Sequence, residues 1–161
     1  MNRIMLLEAL RDVTKDATAD LIMPTKIQRA DEEQQFRPPD VYLMRLPDGN
    51  SAMKKAPYII HQAITSKDSQ PSGGRVNSRA SIRSIFAVYN SDEQEGGLML
   101  LNLMERVRIR LLSQVVIGDQ FTLDLDAGLE TIVYPDNTAP YFIGEMSTTW
   151  KIPAVEREVS I

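Results

Sequence analysis

The chain has 161 residues, 43% hydrophobic and 25% charged, with 18 Lys and Arg against 22 Asp and Glu and a formal net charge of -4. That length and balance fit one domain with one core, and an acidic chain lacks the cationic footprint of a sequence-specific nucleic-acid reader. Cysteine is absent, which excludes disulfide frameworks, thiol catalysis and cysteine-based zinc sites and suits a reducing interior.

The N-terminal run Met1 to Leu7 is interrupted by Glu8, Arg11 and Asp12. We therefore expect no signal-peptide h-region, and no later segment approaches the ~20 apolar residues of a membrane span. Ile4, Leu7, Leu10 and Val13 recur at helical steps, so the first ~16 residues are predicted to form an amphipathic helix with Glu8, Asp12 and Lys15 outside. From Ala19 to Asp40, Met23-Pro24 breaks any helix, Asp31 to Gln35 is polar and Arg37-Pro38-Pro39 is extended. This reads as a connector with one short strand at most.

Val41 to Leu46 is a short apolar strand closed by turn residues at Pro47 to Asn50. Pro57 to Thr65 is a second strand, and the Gly-, Pro- and Ser-containing stretch Ser66 to Ser78 is predicted to be a mobile loop. Such long loops are uncommon unless functional. A third strand runs from Ser81 to Asn90, with a bulge expected near Ser84.

Ser91 or Asp92 caps the following helix, Gly97 to Gln114, with Glu93 and Glu95 at its positive end and Arg106, Arg108 and Arg110 toward the other. Leu100, Leu103, Met104, Val107 and Leu111 form its apolar stripe, and Gly96-Gly97 lets its first turn approach the sheet. Short strands follow at Val115–Ile117, Phe121–Leu125 and Thr131–Tyr134, then a turn at Pro135 to Pro140. The last strand places Phe142, Gly144, Met146, Thr148, Trp150 and Ile152 on one face, with Trp150 as core anchor, and Tyr141, Ile143, Glu145 and Ser147 on the other. The predicted fold class is α+β: one domain over residues 1–153, a mixed, mostly antiparallel sheet packed against an N-terminal and a long central helix, with 154–161 as a loose tail.

Motifs for chemistry are sparse. His61 is the single histidine and lies in a strand with no Ser, Asp or Glu at motif spacing, so a structural role is expected. Asp124 and Asp126 on one side of a strand, with Asp119, have the oxygen chemistry for a hard cation but lack a calcium-loop pattern. Gly73-Gly74-Arg75 lacks the Lys-Ser/Thr of a phosphate loop and opens no helix. No nucleophile-elbow, zincin or dinucleotide motif occurs, so neither catalysis nor a cofactor is expected.

The order helix, strands, long loop, strand ending Phe86 to Asn90, helix Leu98 to Leu112, and Pro140 to Met146 with Trp150-Lys151-Ile152-Pro153 resembles the tail-terminator or tail-completion proteins of long-tailed bacteriophages. The resemblance covers Pro57 to Pro153. It implies a non-enzymatic virion subunit, assembled in the host cytoplasm, that closes into a ring, usually of six, on the head-proximal end of the tail tube. Such a ring ends tube growth and joins tail to head, with the major tail tube protein and a head-completion or neck protein as partners. DNA passes through it without being read, which fits an acidic chain. A closed ring needs two different complementary patches per subunit. Lys67, Asp68, Arg75 and Arg79, in or beside the Ser66 to Ser78 stretch, are the expected assembly residues. A neck connector subunit, or a small-molecule-binding domain using His61, Glu145 or Asp124 in a common pocket, are the alternative readings.

Overall fold

A computed structural model describes residues 2–27, 30–47, 55–135 and 139–158. Helix α1 (Arg3–Thr18) starts where the Asn2 side chain accepts a hydrogen bond from the Met5 amide at 3.0 Å. That satisfies one of the free N–H groups of the first turn. Helix α2 (Glu93–Gln114) is capped by Asp92, whose carboxylate accepts from the amides of Gln94 and Glu95 at 3.0 and 3.2 Å, with Glu93 and Glu95 in its first turn. Negative charge at the positive end of the helix dipole favours starting the helix here.

Between the helices, β1 (Met23–Pro24) and β2 (Phe36–Arg37) make a small antiparallel ribbon. The main sheet has β3 (Asp40–Leu43), β4 (Tyr58–Ser69), β5 (Asn77–Tyr89), β6 (Val116–Ile117), β7 (Phe121–Leu123), β8 (Glu130–Val133) and β9 (Tyr141–Ile152). Their order is β3-β4-β5-β9-β7-β6, with β8 also paired to β9. Only β3 and β4 run parallel. The α+β class and the antiparallel bias expected from the sequence are thus the observed ones.

Both helices cover one face of this sheet: α1 against β3 and β4, α2 against β5 and β9. Alternation in β5 and β9 sends Ala80, Ile82, Phe86, Val88, Met146 and Trp150 to that side, where they meet Leu6, Leu10, Leu100, Leu103, Val107 and Leu111. Two glycines set the spacing of α2 to the sheet. A Cβ on Gly96 would stand 2.0 Å from the Phe142 ring, and one on Gly144 would stand 2.6 Å from Met104 Sδ and 3.0 Å from the Ile132 carbonyl. Gly97, by contrast, faces open space, so of the Gly96-Gly97 pair only Gly96 permits the close approach. A smaller cluster of Leu46, Ala56, Tyr58, Ile60 and Ala87 covers one end of the opposite face.

Several expectations are corrected. The stretch Ser66 to Ser78 is mostly strand: β4 extends to Ser69, β5 begins at Asn77, and only 70–76 connect them, turning at Pro71 to Gly74 with Gly73 at φ 74°. Ser66 to Ser69 read as loop because that part of the strand is largely exposed, so backbone pairing holds it with no hydrophobic alternation to betray it. The bulge lies on β4 at Ile64, where the register shifts between Ala63 and Thr65, while β5 alternates through Ser84 without interruption. The connector from Ala19 to Asp40 carries two paired strands where one was expected.

The three arginines of α2 do not complement its C-terminus, because no basic residue stands in the last turn. Arg106 bonds Asp20 at 2.7 Å and Arg110 bonds Asp16 at 2.8 Å, tying α2 to α1 and the residues after it, while Arg108 bonds Glu105 at 3.2 Å. Apart from Pro47, the turn expected at Pro47 to Asn50 lies outside the described residues, as do 136–138 of the turn before β9. The tail has no regular structure over 154–158, although the Val155 carbonyl accepts from Gln70 Nε2 at 2.9 Å, tethering it to the hairpin tip.

Candidate functional site

The sheet face away from the helices is open beyond the smaller cluster. There Ile64, Ser81, Arg83, Glu145, Ser147 and Thr149, contributed by three adjacent strands, line a cleft of ≈ 250 Å³. Cross-strand geometry explains its polar character. Ile85 pairs with Glu145 and Arg83 with Ser147, so Arg83 and Glu145 are diagonal neighbours, and the Arg83 guanidinium donates to Glu145 Oε1 through Nε at 2.9 Å and through Nη2. The Arg83 bond holds the Glu145 carboxyl below the usual carboxylate range, against desolvation, and a bond with Tyr134 pulls the same way. Ile64, extruded by its bulge, is 55% exposed at the rim.

Beside the cleft, Asp124 follows β7 and is buried, with Arg79 Nε donating to its Oδ2 at 2.6 Å and the amides of Asp126 and Ala127 donating to its Oδ1 at 3.1 and 3.2 Å. The Arg79 bond first, then the Ala127 amide, holds this carboxyl below its ordinary range. A depressed folded-state value means that the contribution is present above the ordinary carboxylate range and is lost as pH falls through the folded value. Asp124→Ala, which strands those donors, is expected to cost about 2 kcal/mol, and Asp124→Asn, which keeps an oxygen for the turn, less. Urea unfolding at neutral pH checks both; equal losses would mean that the turn amides contribute nothing.

The four expected assembly residues do not form one patch. Lys67 and Arg79 are paired across β4 and β5 and line a shallow cleft of ≈ 170 Å³ with Ser69 and Asn77. Asp68 alternates to the opposite face, where Ser78 Oγ donates to it at 2.5 Å. Arg75 belongs to the hairpin tip. The group is therefore split between two faces and a tip by the period of two of the strand.

His61 is fully buried on the helix side of the sheet, between α1 and β5. The Thr14 hydroxyl donates to the Leu10 carbonyl at 2.8 Å, so its oxygen receives His61 Nε2–H at 3.1 Å, and His61 Nδ1 then accepts from Ser84 Oγ at 2.7 Å. Glu145 and Asp124 stand on the other face. The sheet separates the three groups a pocket reading requires to converge.

Asp124 and Asp126 likewise do not share a strand side, because β7 ends at Leu123 and Asp124 to Gly128 form a turn closed by Gly128 N–H to the Asp124 carbonyl at 3.1 Å. Among the described residues no group of three or more His, Asp or Glu side chains is placed to hold a metal ion, and no helix is long and apolar enough to cross a membrane.

Neither comparison with protein-family models nor comparison with curated proteins finds a match to this chain. The open face was only partly legible in sequence. The alternation of the last strand assigns Glu145 and Ser147 to it, but nothing in the spacing of Arg79, Arg83, Asp124 and Tyr134 announces that they meet there.

Proposed function

We propose that this chain is a non-enzymatic assembly subunit that closes into a ring with copies of itself on the end of a long-tailed phage's tail tube. There it ends tube polymerisation and joins the tail to the head. The observation that carries this reading is the outer edge of β4. Beyond its short pairing with β3, which ends at Leu43 opposite His61, residues 64–69 of β4 have no strand on their outer side among the described residues, although their inner side is laddered to β5 down to Ser69. Such an edge is a template for a neighbouring chain. With the charged cleft of Lys67 and Arg79 next to it and the Arg83–Glu145 face beyond, the distal hairpin supplies one of the two unlike patches that head-to-tail ring closure needs. The order of elements from Pro57 to Pro153 adds the likeness to tail terminators.

Electron microscopy of the purified protein over a concentration series, with and without tail tubes, tests this function. Rings that cap one end of the tubes and block their elongation are the expected result. Rings that bind a neck protein but ignore tubes would move the subunit to the neck, and a chain that never associates with tubes or itself would refute the assembly role.

A further inference from the structure

The main sheet has a second open edge. β8 ladders to β9 and, among the described residues, has no strand on its other side, and all four of its residues are exposed. Ile132 and Val133 stand on it at 46 and 43% exposure, and an open apolar strand edge is a site of pairing with another chain. At the opposite edge of the sheet, Lys67 of β4 lies directly across from Arg79, which lies across from Lys151. Among the described residues the carboxylate bonded to this row is Asp124, and it sits on Arg79. Like charges directly opposite one another repel, so a carboxylate arriving beside Lys67 at the β4 edge is favoured.

We propose that β8 of one copy adds as a strand to the distal β4 edge of the next, antiparallel, with Glu130 opposite Lys67, Thr131 opposite Ser66 and Ile132 opposite Thr65. The contact rests on the ring reading and supplies the second of its two unlike patches. Strand direction fits it. β4 and β9 run one way, β5 and β8 the other, so a head-to-tail step sets β8 antiparallel to the next β4 and the alternation continues across the junction. Side-chain faces fit as well. Glu130 and Ile132 lie opposite Ser147 and Glu145, on the open face that Lys67 and Thr65 share with Arg79 and Ser81, whereas Thr131 and Ser66 lie on the helix side, opposite Met146 and Ala80. Backbone groups also agree. The Ile143 and Thr149 carbonyls accept from the Tyr134 and Asp124 amides, so odd-numbered residues of β9 bond toward β8 and even-numbered ones toward β5. The same alternation turns N–H and C=O outward at Thr131 of β8 and at Ser66 of β4, which meet in this register. Slipping β8 two residues toward the hairpin tip sets Ile132 against Lys67, and slipping it two the other way runs the pairing into the bulge at Ile64. Pairing β4 with a second β4 brings Lys67 no carboxylate, because Asp68 points to the other face.

The chain has no cysteine, so engineered thiols are its only ones. Thr65 and Ile132 meet as a closely spaced, non-hydrogen-bonded pair, within the Cα separation that a disulfide bridges. An equimolar mixture of Thr65→Cys and Ile132→Cys proteins, mildly oxidised, is expected to give a disulfide-linked dimer, while each alone gives none. Linkage of Thr65→Cys with itself means that β4 pairs with β4 and overturns the proposal. No linkage in the mixture, while rings still form in electron micrographs, overturns it too and leaves the ring reading standing. Linkage in the mixture without capped tubes keeps the strand contact and removes the ring function.

Sedimentation of the full chain gives a second readout. Glu130→Lys is expected to weaken self-association about tenfold, and Glu130→Lys/Lys67→Glu to restore it to within about threefold. A full chain that stays monomeric at roughly 100 μM, or a double reversal that stays as weak as the single one, also refutes the proposal. Far-ultraviolet circular dichroism confirms that each variant is folded.

Discussion

Trp150→Ala is expected to lower the stability of the fold by about 4 kcal/mol, the largest loss for any single side chain here. Trp150 is fully buried in β9, with Ala80 beside it on β5 and Leu123 beside it on β7. It therefore stands where the long hairpin, the last strand and the short strands after α2 converge. Backbone pairing on both sides keeps the three strands from closing over the vacated volume, and the cost of truncation rises with the cavity that remains. The indole N–H donates to Thr148 Oγ1 at 2.9 Å, so the site also satisfies the one polar atom of the ring. Trp150→Phe removes that bond but keeps most of the volume and should lose less than half as much. Urea unfolding followed by circular dichroism measures both, and a loss below about 1 kcal/mol for alanine would show that the core collapses freely around the site.

The second large effect is acid sensitivity centred on His61. Burial pushes its pKa down from 6.5 to about 4, because the charged ring would lose its water and gain no anion. A depressed histidine value means that, between pH 6.5 and 4, the unfolded chain binds a proton that the folded chain refuses. Stability is therefore full above pH 6.5, falls by up to about 1.4 kcal/mol per unit below it, and has dropped by about 3 kcal/mol at pH 4. Asp124 and Glu145, whose folded values lie below the ordinary carboxylate range, add their own losses at lower pH, so the slope just below pH 6.5 belongs to the histidine. Urea midpoints between pH 7.5 and 4 should trace it, and His61→Gln should flatten it there. A slope unchanged in His61→Gln would mean that another group is responsible. The physical role is a polar clasp: His61 joins Thr14 of α1 to Ser84 of β5, fixing the helix rotation on a surface that is otherwise apolar.

The two faces of the sheet divide the molecule's work. One is closed by helices and holds the histidine where no substrate reaches it. The other presents ion pairs, hydroxyls and, among the described residues, a strand edge with no outer neighbour, the features on which the proposed ring contact rests.

Local signals determined the elements. The 3.6 period and Asp92 cap mark α2, the alternation from Phe142 to Ile152 marks β9 and points Trp150 inward, and the isolation of His61 from any motif marks it as structural. Each rests on neighbours within a few residues, where propensity, capping and periodicity act. Tertiary structure alone decided the rest. Ser66 to Ser69 became strand because β5 pairs with them, Arg106 and Arg110 of α2 turned to Asp20 and Asp16 because α1 lies alongside, and Arg79 found Asp124 because β7 was brought against β9. Residues far apart in the chain meet through strand order and helix placement, and strand register then assigns each polar side chain its face and its partner.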